Sequence, residues 1–192
     1  MKQKPGWVLP DLKEAQKRTT NTIDRIDTFS IPEVARMMGR GKTYFISTYG
    51  CQANERDSET LAGILDELGF TPNETAEGSD VIIINTCAIR QNAEEKVLGE
   101  IGNFKRLYRE NKDLIIGVCG CMAQEEGLVE TLLTKYPQVR LLFGTHNIQE
   151  LPSMLYSCMF EGKKVVKIYS KEGEVYENLP VHRFGTFKAW VN

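Results

Sequence analysis

Two stretches of this chain leave no side chain for solvent. Val81-Ile82-Ile83-Ile84 and Leu114-Ile115-Ile116-Gly117-Val118 are apolar runs rich in β-branched residues, without alternation. A strand with one wet face alternates polar and apolar residues, so these runs predict strands covered on both sides. Segments of helical period separate such strands. Leu61, Ile64, Leu65 and Leu68 recur at i, i+3, i+4 and i+7, with Asn54 as a candidate N-cap. Val97, Leu98, Ile101, Phe104 and Tyr108 form a second stripe. Leu128, Val129, Leu132, Leu133 and Tyr136 form a third, stopped before Pro137, and Asn147 to Tyr156 reads as a last helix.

Thr43 to Tyr49 and Val139 to Phe143 supply a first and a last strand, and Phe70-Thr71-Pro72 a short edge strand at most, because proline cannot donate to a ladder. Alternating β and α segments with apolar strands predict an α/β domain. The expected architecture is a flavodoxin-like, doubly wound, mostly parallel sheet of five strands with helices on both faces.

The flanks differ in texture. Residues 1–41 are polar and broken by Pro5, Pro10 and Pro32, and read as an N-terminal arm that packs, if at all, on something else. Ile31 to Met38 is a candidate short helix within it. Residues 42–158 form the expected domain. In residues 159–192, Val165–Tyr169 is expected to pair with Glu174–Tyr176 as a hairpin around Lys171-Glu172-Gly173, and the rest to act as a linker. The ending Phe187-Lys188-Ala189-Trp190-Val191-Asn192 alternates like a strand and reads as truncated.

Of the 192 residues, 24 are Lys or Arg and 26 are Asp or Glu, a formal charge of −2. That balance removes the footprint of an autonomous nucleic-acid binder. No apolar run approaches the ~18–20 residues that span a bilayer, and the N-terminus has no apolar segment of secretory type. The expected location is therefore the cytoplasm, with no membrane partner.

The five cysteines are odd in number and contain no Cys-x-x-Cys, which argues against a disulfide framework. Cys51, Cys87 and Cys121 each follow a predicted strand, at separations of 36 and 34 residues. In a parallel sheet all three reach the carboxyl edge, where open α/β domains keep their ligand crevice. Gly50 and Gly120 precede two of them and permit close backbone approach to a bound group. Helix N-termini at that edge are expected to lower thiolate pKa values. Thiolates, backbone donors and a shielded crevice are what an iron–sulfur cluster requires. Taken singly, each cysteine is more often core filler than ligand.

The other candidates carry less. Cys119 ends an apolar strand and is expected to pack. Cys158 closes the last helix, ~15 Å from the crevice at 1.5 Å per residue. His146 stands at the correct edge, as a fourth ligand or a capped loop residue. His182 supports no assignment, and Lys105, Arg106 and Arg109 read as a solvated helix face rather than an RNA patch.

Three long motifs occur in order. Thr48-Tyr49-Gly50-Cys51-Gln52-Ala53-Asn54-Glu55, Asn85-Thr86-Cys87-Ala88-Ile89-Arg90-Gln91-Asn92-Ala93-Glu94-Glu95-Lys96 and Gly120-Cys121-Met122-Ala123-Gln124 resemble those of the radical SAM methylthiotransferases. The likeness covers about residues 43–156, and Thr86-Cys87-Ala88-Ile89-Arg90 resembles the MiaB type, which acts on tRNA. The resemblance implies that Cys51, Cys87 and Cys121 hold an auxiliary 4Fe–4S cluster whose open iron carries the sulfur or methylthio group destined for carbon 2 of an isopentenylated adenosine beside the anticodon. It also implies a second 4Fe–4S cluster, on Cys-x-x-x-Cys-x-x-Cys, that cleaves S-adenosylmethionine. That motif does not occur in these 192 residues. The expectation is a piece that ends before its radical SAM and TRAM domains, holds one cluster, has no catalytic residue of its own and is inactive alone. The oligomeric state stays open. A zinc or thiol-redox site on the same cysteines, and a plain interaction module, are the competing readings.

Overall fold

The computed structural model describes residues 25–87, 91–168 and 174–184. Within them the strands are β1 (Arg25–Thr28), β2 (Thr43–Tyr49), β3 (Thr71–Pro72), β4 (Val81–Thr86), β5 (Ile115–Cys119), β6 (Val139–Phe143), β7 (Val165–Lys167) and β8 (Glu174–Glu177). The α-helices are α1 (Gln52–Glu67), α2 (Gln91–Glu110), α3 (Glu126–Lys135) and α4 (Leu151–Phe160). Six strands make one parallel sheet in the order β3-β2-β4-β5-β6-β7.

The apolar runs sit where two-sided burial puts them. All six residues of β4 and all five of β5 are buried. Successive side chains of a strand point to opposite faces, and the two packing layers follow that alternation. Val81, Ile83, Ile115 and Leu141 pack with Leu61, Ile64 and Leu65 of α1 and with Leu151, Met154 and Leu155 of α4. Ile82, Ile84, Ile116 and Leu142 pack with Val97, Ile101 and Phe104 of α2 and with Leu128, Val129 and Leu132 of α3. Each fully buried isoleucine contributes ~1.5–3 kcal/mol by leaving water, so β4 and its neighbours anchor both layers at once.

Three expectations fail. The sheet has six strands, not five. The sixth is β7, which joins β6 in parallel with Leu141 opposite Val165, so among the described residues it forms no hairpin with Glu174–Glu177. The chain instead makes a β6–α4–β7 crossover, and Val165 and Val166 pack on opposite layers. β8 pairs in parallel with β1, Arg25 opposite Glu174. The turn expected at Lys171-Glu172-Gly173 lies outside the described residues, as does the strand-like ending from Phe187.

The second failure concerns the arm. Ile31, Ala35 and Met38 are buried in the same layer as Leu61 and Tyr44, so this stretch closes the domain's own core, with only a short 3-10 turn at Glu33–Ala35. The third is the last helix. Thr145–Glu150 is a 3-10 segment, and α4 begins at Leu151. Pro152 sits in its first turn, where a missing N–H costs nothing.

The segment from Leu179 to Phe184 lies along α1. The His182 N–H donates to the Glu59 carbonyl at 2.9 Å, and His182 Nδ1 stands 2.5 Å from Asp66 Oδ2. The other oxygen of Asp66 accepts from the Tyr44 hydroxyl at 2.9 Å. Contact is close at Gly63, where a Cβ would lie 2.5 Å from the Pro180 carbonyl carbon. Gly63→Ala is therefore expected to lift this segment while adding helix propensity to α1. Hydrogen exchange at the His182 amide should accelerate by about tenfold with β4 unaffected; unchanged exchange at His182 would show that the segment is not seated there.

Candidate cysteine centre

The order of the sheet reverses between β2 and β4, which lie side by side with Tyr49 opposite Thr86. Crevices in open α/β sheets form outside the carboxyl ends of such strands. Cys51 lies two residues beyond β2, Cys87 one residue beyond β4 and Cys121 two residues beyond β5. The Cys87 N–H donates to the Tyr49 carbonyl at 3.0 Å, which continues the ladder past the last paired residues. The three predicted cysteines thus share one rim, Cys51 and Cys121 exposed and Cys87 buried as its floor.

Cys51 is the N-cap of α1, in extended conformation. Asn54, expected as the cap, is instead its partner at the third helical position in a reciprocal capping box. Its Oδ1 accepts the Cys51 N–H at 3.2 Å and the thiol at 3.4 Å. The N–H groups of Asn54, and after it Ala53, hold the Cys51 thiol below its ordinary range against a small burial penalty, with a further lowering from a hydrogen bond to Cys87. The expected effect of a helix N-terminus is real there.

At Cys121 the sign is opposite. Partial desolvation of its sulfur raises its pKa first, followed by the electrostatic influence of Cys87, Asp57 and Cys51. The element that follows it is a 3-10 turn of four residues, too short for a helix dipole to prevail.

Gly50 and Gly120 carry positive φ, 146° and 99°. A Cβ on Gly50 would lie 2.4 Å from Asn54 Oδ1 and 2.6 Å from the Cys87 Cβ. One on Gly120 would lie 2.1 Å from the Thr86 carbonyl oxygen and 2.8 Å from Asn85 Oδ1. What both glycines visibly permit is contact between loops, drawing the Cys51 and Cys121 turns against the end of β4.

Beneath the rim lies a polar network that the sequence reading missed. Asn85, Asn54 and Ser58 are buried. Asn85 Nδ2 donates to the Asn54 carbonyl at 2.8 Å and to Ser58 Oγ at 2.9 Å, while Asn54 Nδ2 donates to Asn85 Oδ1 at 3.1 Å. Ser58 Oγ also shares a hydrogen bond of 2.8 Å with Thr48 Oγ1, and the Thr86 hydroxyl donates to Met122 Sδ at 3.2 Å. The available signal was Asn85-Thr86 closing a strand that is otherwise wholly apolar.

Of the remaining candidates, the two other cysteines fall outside the rim, and His146 stands at the same sheet edge beyond β6. Cys119 is buried in the α1-side core, where desolvation raises its thiol well above the ordinary range. Cys158 lies at the far end, its thiol 3.6 Å from the carbonyl of Arg140 near the start of β6. His146 is exposed in the 3-10 segment after β6. It is near enough for its charge, after that of Arg56, to oppose the burial that raises Asp57. On α2, Arg106 pairs with Glu110 at 3.1 Å and Glu77 at 3.4 Å. It borders a cavity of about 750 Å³ lined also by Phe45 and Glu100, away from the cysteines. Among the described residues, no three His, Cys, Asp or Glu side chains are grouped tightly enough to grip a single metal ion, and no helix is long and apolar enough to cross a membrane.

Residues 43–144 match the family model described as uncharacterized protein family UPF0004. The chain is 54% identical over 183 residues to the tRNA-2-methylthio-N(6)-dimethylallyladenosine synthase of Staphylococcus saprophyticus, covering 95% of this chain and 36% of that protein. It is 51% identical to the enzyme of the same name from Oceanobacillus iheyensis, over 95% and 35% of the two chains. Against that from Geobacillus kaustophilus it is 52% identical, over 95% and 34%. The chain therefore spans about a third of the length of the curated relatives it matches, and the resemblance read from its three motifs is borne out.

Proposed function

Because this chain belongs to the UPF0004 family, we propose that its flavodoxin-like domain holds an auxiliary 4Fe–4S cluster on Cys51, Cys87 and Cys121 and serves a tRNA methylthiotransferase of the cytoplasm. The carrying observation is the placement of three cysteines directly beyond the carboxyl ends of three neighbouring parallel strands, each inside a family-like motif. The donor set fits such a group: three thiols, that of Cys51 with its pKa lowered by helix N–H groups, and that of Cys121 raised in part by the neighbouring cysteines, an effect a cationic iron core would offset.

When bound, a cluster with three protein ligands has an open iron that supplies a site for the sulfur or methylthio group transferred to carbon 2 of an isopentenylated adenosine next to the anticodon. The chain's own residues do the rest of the local work. Cys87 forms the floor and Cys51 and Cys121 the two sides, with exposed faces toward a substrate. The Ala53 and Asn54 N–H groups place positive partial charge at the Cys51 sulfur. Gly50 and Gly120 let the Cys51 and Cys121 turns close against the end of β4, which brings their thiols toward Cys87. Radical SAM and TRAM domains, S-adenosylmethionine and a second cluster belong to the activity of the whole enzyme. No Cys-x-x-x-Cys-x-x-Cys occurs in these residues, so by themselves they bind without turning over.

Anaerobic reconstitution with ferrous iron and sulfide tests the reading. About four irons and four acid-labile sulfides per chain are expected, unchanged in Cys119→Ala and Cys158→Ala, which lose only about 1 kcal/mol of packing each. Given S-adenosylmethionine, a reductant and isopentenylated tRNA, the chain should yield no 2-methylthio nucleoside by mass spectrometry. Loss of iron in Cys119→Ala, or product from the chain alone, would refute the assignment.

A further inference from the structure

We infer that Asn85 is a positioning residue that locks Cys51 and Cys87 into one rigid pair, leaving Cys121 to complete the site from a separate loop. The inference rests on the reading of these cysteines as ligands and goes beyond it.

Asn85 occupies the fifth position of β4, on the same face as Val81 and Ile83, which contact α1 through apolar packing alone. An apolar residue there would serve the core equally well. The amide does something that packing cannot: three directional hydrogen bonds fix the first turns of α1 against the end of β4. Directional bonds set register, whereas apolar contacts tolerate sliding.

The linkage runs without a gap. Cys51 bonds through its N–H and its thiol to Asn54 Oδ1, the amide of Asn54 bonds to Asn85, and Asn85 stands two residues before Cys87. Cys87 in turn bonds to the Tyr49 carbonyl, two residues before Cys51. That closes a ring of contacts around the pair. Cys121 is outside the ring. Its loop leans on β4 through Gly120 against Thr86 and Asn85 Oδ1, by packing, and through Met122 against the Thr86 hydroxyl, with no hydrogen bond to Asn85 among the described contacts.

The test uses phenylarsine oxide, a probe for two thiols held close together. Its arsenic–oxygen bond gives way to two arsenic–sulfur bonds, and the oxygen leaves as water with the two thiol protons, so no oxidant is needed. In the chain carrying Cys121→Ala, the probe should bridge Cys51 and Cys87. Outer partners of metal ligands typically affect affinity by about 10–100-fold. Asn85→Ala should accordingly weaken bridging by at least about tenfold, and Ser58→Ala by a few-fold. Ile83→Val, on the same strand and face, should leave bridging unchanged at a comparable loss of melting temperature. With Cys121 restored, iron loading should fall in the same order.

Folded Asn85→Ala that bridges like its parent would overturn the inference, as would equal losses in Ile83→Val. If Asn85→Ala does not fold, Ser58→Ala decides, unchanged bridging being the contrary result. If the ranking holds but the unmodified chain takes up no cluster, the cluster reading fails and the positioning role stands. If the cluster loads and the ranking is absent, the positioning role alone fails.

Discussion

Gly120→Ala is expected to destabilise the domain by about 3 kcal/mol or more and to abolish cluster loading. Two effects add at this position. An alanine at φ 99° is strained by ~1–3 kcal/mol. Its Cβ would also stand 2.1 Å from the Thr86 carbonyl oxygen, a backbone atom of the central strand that cannot step aside. Relief requires the Cys121 turn to move away from β4, which separates Cys121 from Cys87. Gly78 isolates the first effect, since its φ is 77° with nothing within 4 Å of a Cβ. Gly78→Ala should cost about 1 kcal/mol and leave iron content unchanged. Denaturant titration of both variants gives the comparison. Equal losses would mean that the Cys121 turn does not press on β4 as described.

The triple substitution Cys51→Ala, Cys87→Ala, Cys121→Ala should reduce bound iron to background while the fold persists. Two of these side chains are exposed, so their loss removes little packing. Cys87 is 5% exposed, and truncating its thiol costs about 1 kcal/mol. Near-native far-ultraviolet circular dichroism with no iron-derived absorbance is the expected pair of readings. A full complement of iron in the triple variant would place the ligands elsewhere in the chain.

Much of this was legible before any coordinates. Val81–Ile84 and Ile115–Val118 announce strands buried on both faces because no helix-like period competes with them. Leu61, Ile64, Leu65 and Leu68 announce α1 because its core face is continuous. Once those strands are parallel, the cysteines that follow them must share an edge, and the shared rim follows from topology. What could not be read depends on contacts between distant residues. Val165–Lys167 lies close to Glu174–Glu177 in sequence, so a local hairpin was the natural expectation. The open edge of β6 accepted Val165–Lys167 instead. Ile31, Ala35 and Met38 form too short a stripe to declare a core role, which comes from an uncovered patch beside α1. Asn54 has the chemistry of an N-cap, yet the helix starts earlier because Cys51 and Asn54 satisfy each other's backbone donors. The Asn85 network is invisible to periodicity, since hydrogen bonding partners 27 and 31 residues away leave no local pattern.

The most direct measurement is Mössbauer spectroscopy of the chain reconstituted with iron-57 under exclusion of oxygen, alongside its triple alanine variant. One rim of three cysteines predicts a 4Fe–4S spectrum in which roughly one iron in four differs from the rest, because it lacks a protein thiolate. The triple variant should lack this signal. A spectrum of isolated ferric thiolate, or the same cluster signal in both proteins, would contradict the account.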